Sequence, residues 1–365
     1  MFIRRAVIGV FLICLASVLL LDGTRPTQAQ AGGLSALLAA APDSASARGL
    51  LWYGALGDLE RLMSLNINTT NDLNGLSRAQ LAEYQYELGR LVYYSTYTGL
   101  ARTSEWQAIF GINSFAIDRE LSNVSESDQF AVLDGNFDPG AINAALSAQG
   151  YQPVQIGSQT ALSIGGDNAD PGGNVGKLAG ARLNRVVLGQ NRLIAASSTG
   201  MISDAISASA GGRSLGQDPA YAAVTAALGA TLPNTNQGVL LCAALFSNDF
   251  INQHMSGSTE PTALPPYLVG GVGYQKSLGG RVWVVALAYS EQSSAEAAAA
   301  NLIARLTSFS ARSQPDTFAG WNFQSFVTQS GGVTLAVVYA NMPEETDLAW
   351  IELFTKREAG FLKTQ

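Results

Sequence analysis

The run Phe130-Ala-Val-Leu-Asp-Gly-Asn-Phe137 opens the part of the chain that decides its fold. Its continuous apolar character predicts a buried strand. Asp138-Pro139 then supplies an N-cap followed by a proline at the first helical position, so we expect a short helix that ends at Gly150. Two further strands are predicted over 151–156 and 160–164, with a glycine-containing turn between them. The resulting order is β-α-β-β.

The same order returns about 150 residues later along the chain. A capping box of Ser293 and Glu296 predicts the start of the second helix. The elements of this second copy are a strand, a helix and a hairpin of two strands, expected over 281–289, 297–309, 321–328 and 333–340. Element lengths and turn chemistry agree between the copies although the side chains differ. The sequence therefore predicts a structural duplication.

Antiparallel hairpins that alternate with single helices favour the α+β class. We expect two related lobes, each an antiparallel sheet with helices layered on one side. The best boundary between the lobes is the polar stretch from Leu232 to Gly238, which contains Pro233. The predicted organisation is a signal peptide (1–31), a linker or short helix (32–48), an N-terminal lobe (49–232) and a C-terminal lobe (233–365).

Three motifs in the first lobe carry a resemblance to known proteins. They are Phe-Ala-Val-Leu-Asp-Gly-Asn-Phe-Asp (130–138), Leu-Gly-Gln-Asn-Arg-Leu-Ile-Ala-Ala-Ser (188–197) and Ser-Leu-Gly-Gln-Asp-Pro-Ala-Tyr (214–221). This part of the chain resembles a class of bacterial exported proteins of unknown function, which are large envelope proteins built from duplicated α+β units. The resemblance implies an envelope location and a duplicated fold, and it transfers no catalytic residue. A tyrosine-rich insertion before Phe130 departs from the pattern.

The N-terminus predicts export. Arg4 and Arg5 precede an apolar run from Ala6 to Leu21, and Ala29-Gln-Ala31 fits a small-residue cleavage site. The alternative is an uncleaved anchor, because the run falls just short of the roughly 17 to 25 residues that span a bilayer. Cleavage leaves Cys242 as the one cysteine, so an intramolecular disulfide is excluded and we expect this thiol to be a small core residue. The location would be periplasmic or extracellular.

The net negative charge of the chain limits the classes of partner that it can bind. The chain of 365 residues carries a net charge of -7, and the first 31 residues hold three arginines and one aspartate, so the mature chain would carry -9. Nucleic acid and anionic membrane surfaces are poor partners for that charge. We expect no membrane contact beyond the N-terminal segment and no cofactor. A protein, a glycan or a small molecule stays open as the partner.

One motif suggests a hydrolase. Gly212-Arg-Ser-Leu-Gly216 fits the Gly-x-Ser-x-Gly nucleophile elbow, and Asp249 and His254 follow Ser214 in the order that hydrolases use. The elbow needs a strand before the serine and a helix after it, whereas a helix is predicted before it here. His254 is the chain's one histidine and falls in a stretch that we expect to be a polar loop.

Oxygen-bearing side chains suggest a calcium site. Asp167, Asn168, Asp170 and Asn174 could supply the oxygen ligands that Ca²⁺ prefers. Their spacing does not match an EF-hand, and a solvated turn-rich loop accounts for the same residues. One histidine and one cysteine in the mature chain exclude a typical zinc site.

Three functional hypotheses follow. The first is an exported, non-catalytic structural or binding protein of the cell envelope, because His, Cys and Lys are rare. The second is a serine hydrolase that uses Ser214, Asp249 and His254. The third is a soluble binder of a small ligand, which requires a deep apolar cleft between the lobes lined by a few converging polar groups.

Overall fold

The computed structural model describes residues 32–91, 103–123, 127–236, 238–256, 263–343 and 349–364. The predicted signal peptide lies outside these residues. In chain order the helices are α1 (Gly32–Leu38), α2 (Ala45–Arg48), α3 (Leu56–Leu62), α4 (Thr70–Asn74), α5 (Arg78–Leu91), α6 (Thr103–Phe110), α7 (Pro139–Ala148), α8 (Gly173–Ala179), α9 (Thr199–Ser209), α10 (Pro219–Leu228), α11 (Asn248–His254), α12 (Gln292–Ser308) and α13 (Ala349–Thr355). The strands are β1 (Leu50–Gly54), β2 (Ile117–Asn123), β3 (Phe130–Gly135), β4 (Gln152–Ile156), β5 (Gln159–Ser163), β6 (Arg185–Leu188), β7 (Arg192–Ala196), β8 (Val239–Ser247), β9 (Val269–Ser277), β10 (Gly280–Tyr289), β11 (Gln324–Ser330) and β12 (Val333–Asn341).

Local capping chemistry sets several helix starts. The Asp138 carboxylate accepts a hydrogen bond from the backbone N–H of Ala141, and α7 begins at Pro139 as predicted. Asp218 caps α10 in the same way. The capping box predicted at the second crossover helix is wrong, because α12 already begins at Gln292 and its N-cap residue makes no side-chain cap hydrogen bond.

The strands confirm the α+β class and form one sheet. Its order is β11-β12-β10-β9-β8-β1-β2-β3-β7-β6-β5-β4, and every neighbouring pair is antiparallel. We expected a separate sheet in each lobe. Instead, β1 pairs with β8, with Tyr53 opposite Ala243, so the hydrogen-bonded ladder continues from one predicted lobe into the other.

Both halves of this sheet contain the predicted β-α-β-β order. In one half α7 carries the chain from β3 to the edge strand β4, and β5 returns beside it. In the other half α12 carries the chain from β10 to the edge strand β11, and β12 returns beside it. The halves differ because β6 and β7 lie between β5 and β3, whereas β12 pairs directly with β10.

Helices cover both faces of the sheet rather than one. Strand β10 shows why, since Val282 and Val284 pack on one face while Trp283 and Val285 pack on the other. A strand that is apolar on both sides needs a layer on each face. The first face is covered by α1, α9 and α10. The second face is covered by two groups of helices. Over the half with β10 these are α3, α5, α11, α12 and α13, and over the half with β3 they are α6, α7 and α8. Among the described helices, none is both long enough and apolar enough to cross a bilayer.

The segment 32–48, for which we expected a linker or a short helix, begins with a helix that belongs to the core. Leu34, Leu37 and Leu38 of α1 are buried against the first face of the sheet. The sequence 32–48 is rich in Ala and Ser, and its three leucines at helical spacing form the apolar stripe of this helix.

The prediction for Cys242 is confirmed, since it lies fully buried in β8 and burial raises the pKa of its thiol far above the usual range.

Candidate functional site

The main candidate site is a cleft of about 550 Å³ between the start of β1, helix α11 and helix α13. This volume falls within the roughly 300 to 1,000 Å³ of ligand pockets. We call it the aromatic cleft, and it is lined by Ala45, Ser46, Gly49, Leu50, Trp52, Phe250, His254, Phe354, Thr355 and Arg357.

The floor of the aromatic cleft is apolar and fixed. Leu50, Trp52 and Phe354 are buried. The Trp52 ring meets Phe354 edge to face with 5.7 Å between ring centroids, and the Phe246 ring lies tilted at 5.5 Å from that of Phe354. Interlocked aromatic rings of this kind hold their positions, so the floor is a preformed apolar surface.

Helix α11 places His254 at the mouth of the cleft. It begins directly after β8, where the Ser247 hydroxyl accepts a hydrogen bond from the backbone N–H of Phe250. Phe250 and His254 are four residues apart and therefore share one face of the helix, with 4.8 Å between their ring centroids. The polar loop predicted around His254 is wrong, because His254 is the last residue of a capped helix.

Arg357 reaches the mouth from the end of α13. The backbone N–H of Arg357 donates to the Phe354 carbonyl at 3.1 Å, and the N–H of Glu358 donates to the Leu353 carbonyl at 2.6 Å. This pair of bonds is a Schellman motif, in which Arg357 adopts a left-handed conformation with φ of 58°. Its carbonyl also accepts hydrogen bonds from the N–H and the hydroxyl of Ser256. The backbone of Arg357 is thus held from two sides.

The charge of the lining is one-sided. Its ionisable side chains are His254 and Arg357, both basic and both exposed, and none of the ten lining residues is acidic. Ser46 and Thr355 add hydroxyl groups. The cleft can therefore hold an apolar body against its floor and a polar group at its mouth, whereas its lining offers no carboxylate to orient the histidine as a base.

The three residues of the hydrolase hypothesis are not brought together. Asp249 and His254 both lie on α11, but five residues at about 100° each place them about 140° apart around the helix axis. Ser214 is buried in an isolated bridge to Pro42, directly before Leu215, which packs on the first face of the sheet. His254 opens into the cleft on the second face. Among the described residues, no hydrogen bond joins any two of the three.

The two carboxylates among the candidate calcium ligands, Asp167 and Asp170, are engaged with donors. Asp167 Oδ1 accepts from Arg185 Nη2 at 2.7 Å and from both the N–H and the hydroxyl of Thr199 at 2.9 Å. Asp170 accepts from a backbone N–H two residues further on, and Asn174 lies exposed in α8. These contacts tie the 165–172 loop to the start of α9. Within the described part of the chain, no group of three or more His, Cys, Asp or Glu side chains could hold a metal ion.

The aromatic cleft was not predicted from the sequence. Trp52, Phe250 and Phe354 come from three distant segments, and each lies in an apolar context typical of an ordinary core residue. The one local signal was the Phe250 and His254 pair at helical spacing, which becomes visible only when Ser247 is taken as an N-cap.

Comparison with known proteins identifies no family for this chain and finds only distant structural likeness. No protein-family model matches the chain, and no curated protein matches it. Solved structures of TP0453 align with it over most of both chains. Crystal form III gives a TM-score of 0.37 with 9% identity over 87% of this chain and 98% of TP0453, and crystal form I gives 0.38 with 8% identity over 88% and 97%. Likeness at this level transfers neither a site nor an activity.

Proposed function

We propose that this chain is an exported, non-catalytic binding protein that holds a small, largely apolar ligand in the aromatic cleft. The observation that carries the proposal is the cleft itself, with its apolar floor of Leu50, Trp52 and Phe354 and its polar mouth. The lining comes from residues 45–52 and 250–357, on either side of the predicted lobe boundary, and this supports the binder hypothesis. The N-terminal sequence 1–31 supports export, and a cell-envelope location agrees with it.

A binding role is also favoured because the described lining of the cleft does not bring a nucleophile and a base together. Acyl transfer by a serine needs a hydroxyl and a base within hydrogen-bond reach. Ser214 lies beside Pro42, away from His254, and Asp249 is turned away on the helix surface. The described geometry therefore favours holding a ligand over cleaving one.

The test uses the mature chain from Gly32 with decanol and decanoate as probes, followed by thermal shift and isothermal titration calorimetry. A ligand that binds only the folded state raises the melting temperature. We expect saturable binding at one site per chain for at least one probe. Absence of binding by both probes, and equally by decyl phosphate and decylamine, would overturn the proposal.

A blocking variant locates the site. Ala45 lines the cleft and is exposed at the first turn of α2, so Ala45→Phe should fill the mouth without opening a cavity. The matched control is Ala36→Phe, which adds the same side chain to an exposed position of α1 outside the cleft. We expect Ala45→Phe to weaken probe binding at least tenfold and Ala36→Phe to leave it unchanged. Equal binding by both variants would place the ligand elsewhere, and dimer formation on size-exclusion chromatography that Ala45→Phe abolishes would make a second copy the occupant.

A further inference from the structure

Arg357 occupies a backbone position that suits glycine. The residue after a helix that ends in a Schellman motif adopts a left-handed conformation, which glycine takes without strain. Five described residues other than glycine have positive φ, namely Ser64, Asp128, Asn168, Asn234 and Arg357. Aspartate and asparagine tolerate this conformation comparatively well, whereas a long side chain does so poorly. Arginine at this position is therefore disfavoured by local backbone energetics.

Contacts within the protein do not compensate for the choice of arginine. Other arginines pair with carboxylates, such as Arg119 with Asp58 and Arg192 with Asp134. Among the described residues, the Arg357 guanidinium makes no ion pair or hydrogen bond. The two carboxylates nearest to Arg357 in sequence are engaged elsewhere. Glu352 accepts hydrogen bonds from Lys356 and Gln314. Glu358 accepts hydrogen bonds from the N–H and the hydroxyl of Ser313.

Strained backbone is retained where the surrounding structure enforces it, and it concentrates at ligand sites. Here the enforced residue lines the aromatic cleft together with His254, and neither side chain has a carboxylate partner among the described residues. We infer that Arg357 and His254 form an anion-recognition element, and that the ligand carries a carboxylate or phosphate head group on an apolar body. This inference rests on the proposed binding function.

The chemistry of the two side chains suits that head group. A guanidinium presents parallel N–H donors that match the two oxygens of a carboxylate or phosphate. The imidazole of His254 can donate a further hydrogen bond from the other helix, so the head group would be held at the mouth while the apolar body covers Trp52 and Phe354. None of the ten lining residues is acidic, so the described lining brings no carboxylate side chain up against the head group.

The decisive variant is Arg357→Gly, because it removes the cation and relieves the backbone at once. Decanoate, decyl phosphate, decanol and decylamine are titrated into the wild type and the variant by calorimetry. We expect the wild type to bind at least one of the two anions at least tenfold more tightly than decanol, and decylamine more weakly than decanol. In Arg357→Gly the anion preference should vanish while decanol binding stays the same and the melting temperature stays equal or rises.

The outcomes separate the two proposals. If the wild type binds decanoate, decyl phosphate and decanol equally, or if Arg357→Gly keeps the anion preference, the recognition element is wrong while the binding cleft stands. A marked fall in the melting temperature of Arg357→Gly would show a structural role for the arginine and would also overturn the inference. Failure of all four probes would remove the cleft function itself. His254→Gln is the second variant, and we expect it to reduce anion affinity about three- to tenfold without changing decanol binding.

Discussion

Lys276 of β9 and Glu87 of α5 form an ion pair with 2.9 Å between Nζ and Oε1, and the Glu87 side chain is completely buried. The second carboxylate oxygen accepts a hydrogen bond from the Tyr274 hydroxyl at 2.8 Å. Arg281 of β10 adds a further contact to Oε1 at 3.1 Å. One carboxylate thus fastens α5 to two neighbouring strands of the sheet, on the same face as the aromatic cleft.

Replacing Glu87 by Gln should destabilise the fold strongly. The change leaves two cationic side chains without their buried carboxylate, and breaking a buried pair by removing one partner costs about 3 to 5 kcal/mol in free energy of unfolding. Urea denaturation followed by circular dichroism measures it. The matched control is Glu83→Gln, since Glu83 is a largely exposed carboxylate 3.4 Å from the same Lys276, and we expect a change below about 1 kcal/mol. Similar values for both variants would show that burial does not decide the energetics.

Glu60 predicts a pH dependence of stability. Burial raises the pKa of this carboxyl to about 7, and the negative charge of Asp118 acts in the same direction, while a hydrogen bond from the Tyr84 hydroxyl opposes the shift. Because the folded-state pKa lies above the unfolded value of about 4.5, the folded state binds more protons between these two pH values. Stability should therefore fall as pH rises from below 4.5 to above 7.

The measurement compares wild type with Glu60→Gln across pH 4 to 8. The variant should lack this part of the decline and should be more stable than the wild type at pH 8 by about 1 kcal/mol, a small value because the group is partly exposed and solvent-screened. Parallel pH profiles of the two proteins would contradict the assignment to Glu60.

The core position of α1 is directly testable. Leu37 is fully buried against the first face of the sheet, so Leu37→Ala should lower the free energy of unfolding by about 2 to 5 kcal/mol through lost burial and the cavity left behind. Ser35→Ala on the exposed side of the same helix should change it by less than about 0.5 kcal/mol. A negligible effect of Leu37→Ala would restore the interpretation of 32–48 as a linker.

Local signals in the sequence predicted local structure well. Asp138 was identified as a helix cap because a cap depends on residues within one turn. Ser77 and Gln80 form a capping box at the start of α5, another local pattern that is readable from the sequence. The order β-α-β-β was visible twice for the same reason, since each strand and helix carries its own apolar pattern.

Contacts between distant segments of the chain could not be predicted from the sequence. The sequence around Leu51 does not indicate that β1 pairs with β8. This pairing joins residues almost 200 positions apart, so it depends on which strand edges meet in the folded sheet. The aromatic cleft escaped for the same reason, as Trp52 and Phe354 converge only once the sheet and α13 are in place. The left-handed conformation of Arg357 was also hidden, because arginine is not a residue that signals it.

The final prediction concerns the C-terminal segment. Phe361 is buried, with its ring 5.1 Å from Phe309 and 5.5 Å from Phe318, and its carbonyl accepts a hydrogen bond from the buried Arg305 of α12. Phe361→Ala should therefore lower the free energy of unfolding by about 3 to 5 kcal/mol. Leu278→Ala is the control, because Leu278 is a large apolar residue that is 91% exposed and its truncation should change stability by less than about 0.5 kcal/mol. Both are measured by urea denaturation of the chain from Gly32, and equal effects would show that the segment after α13 is not part of the folded core.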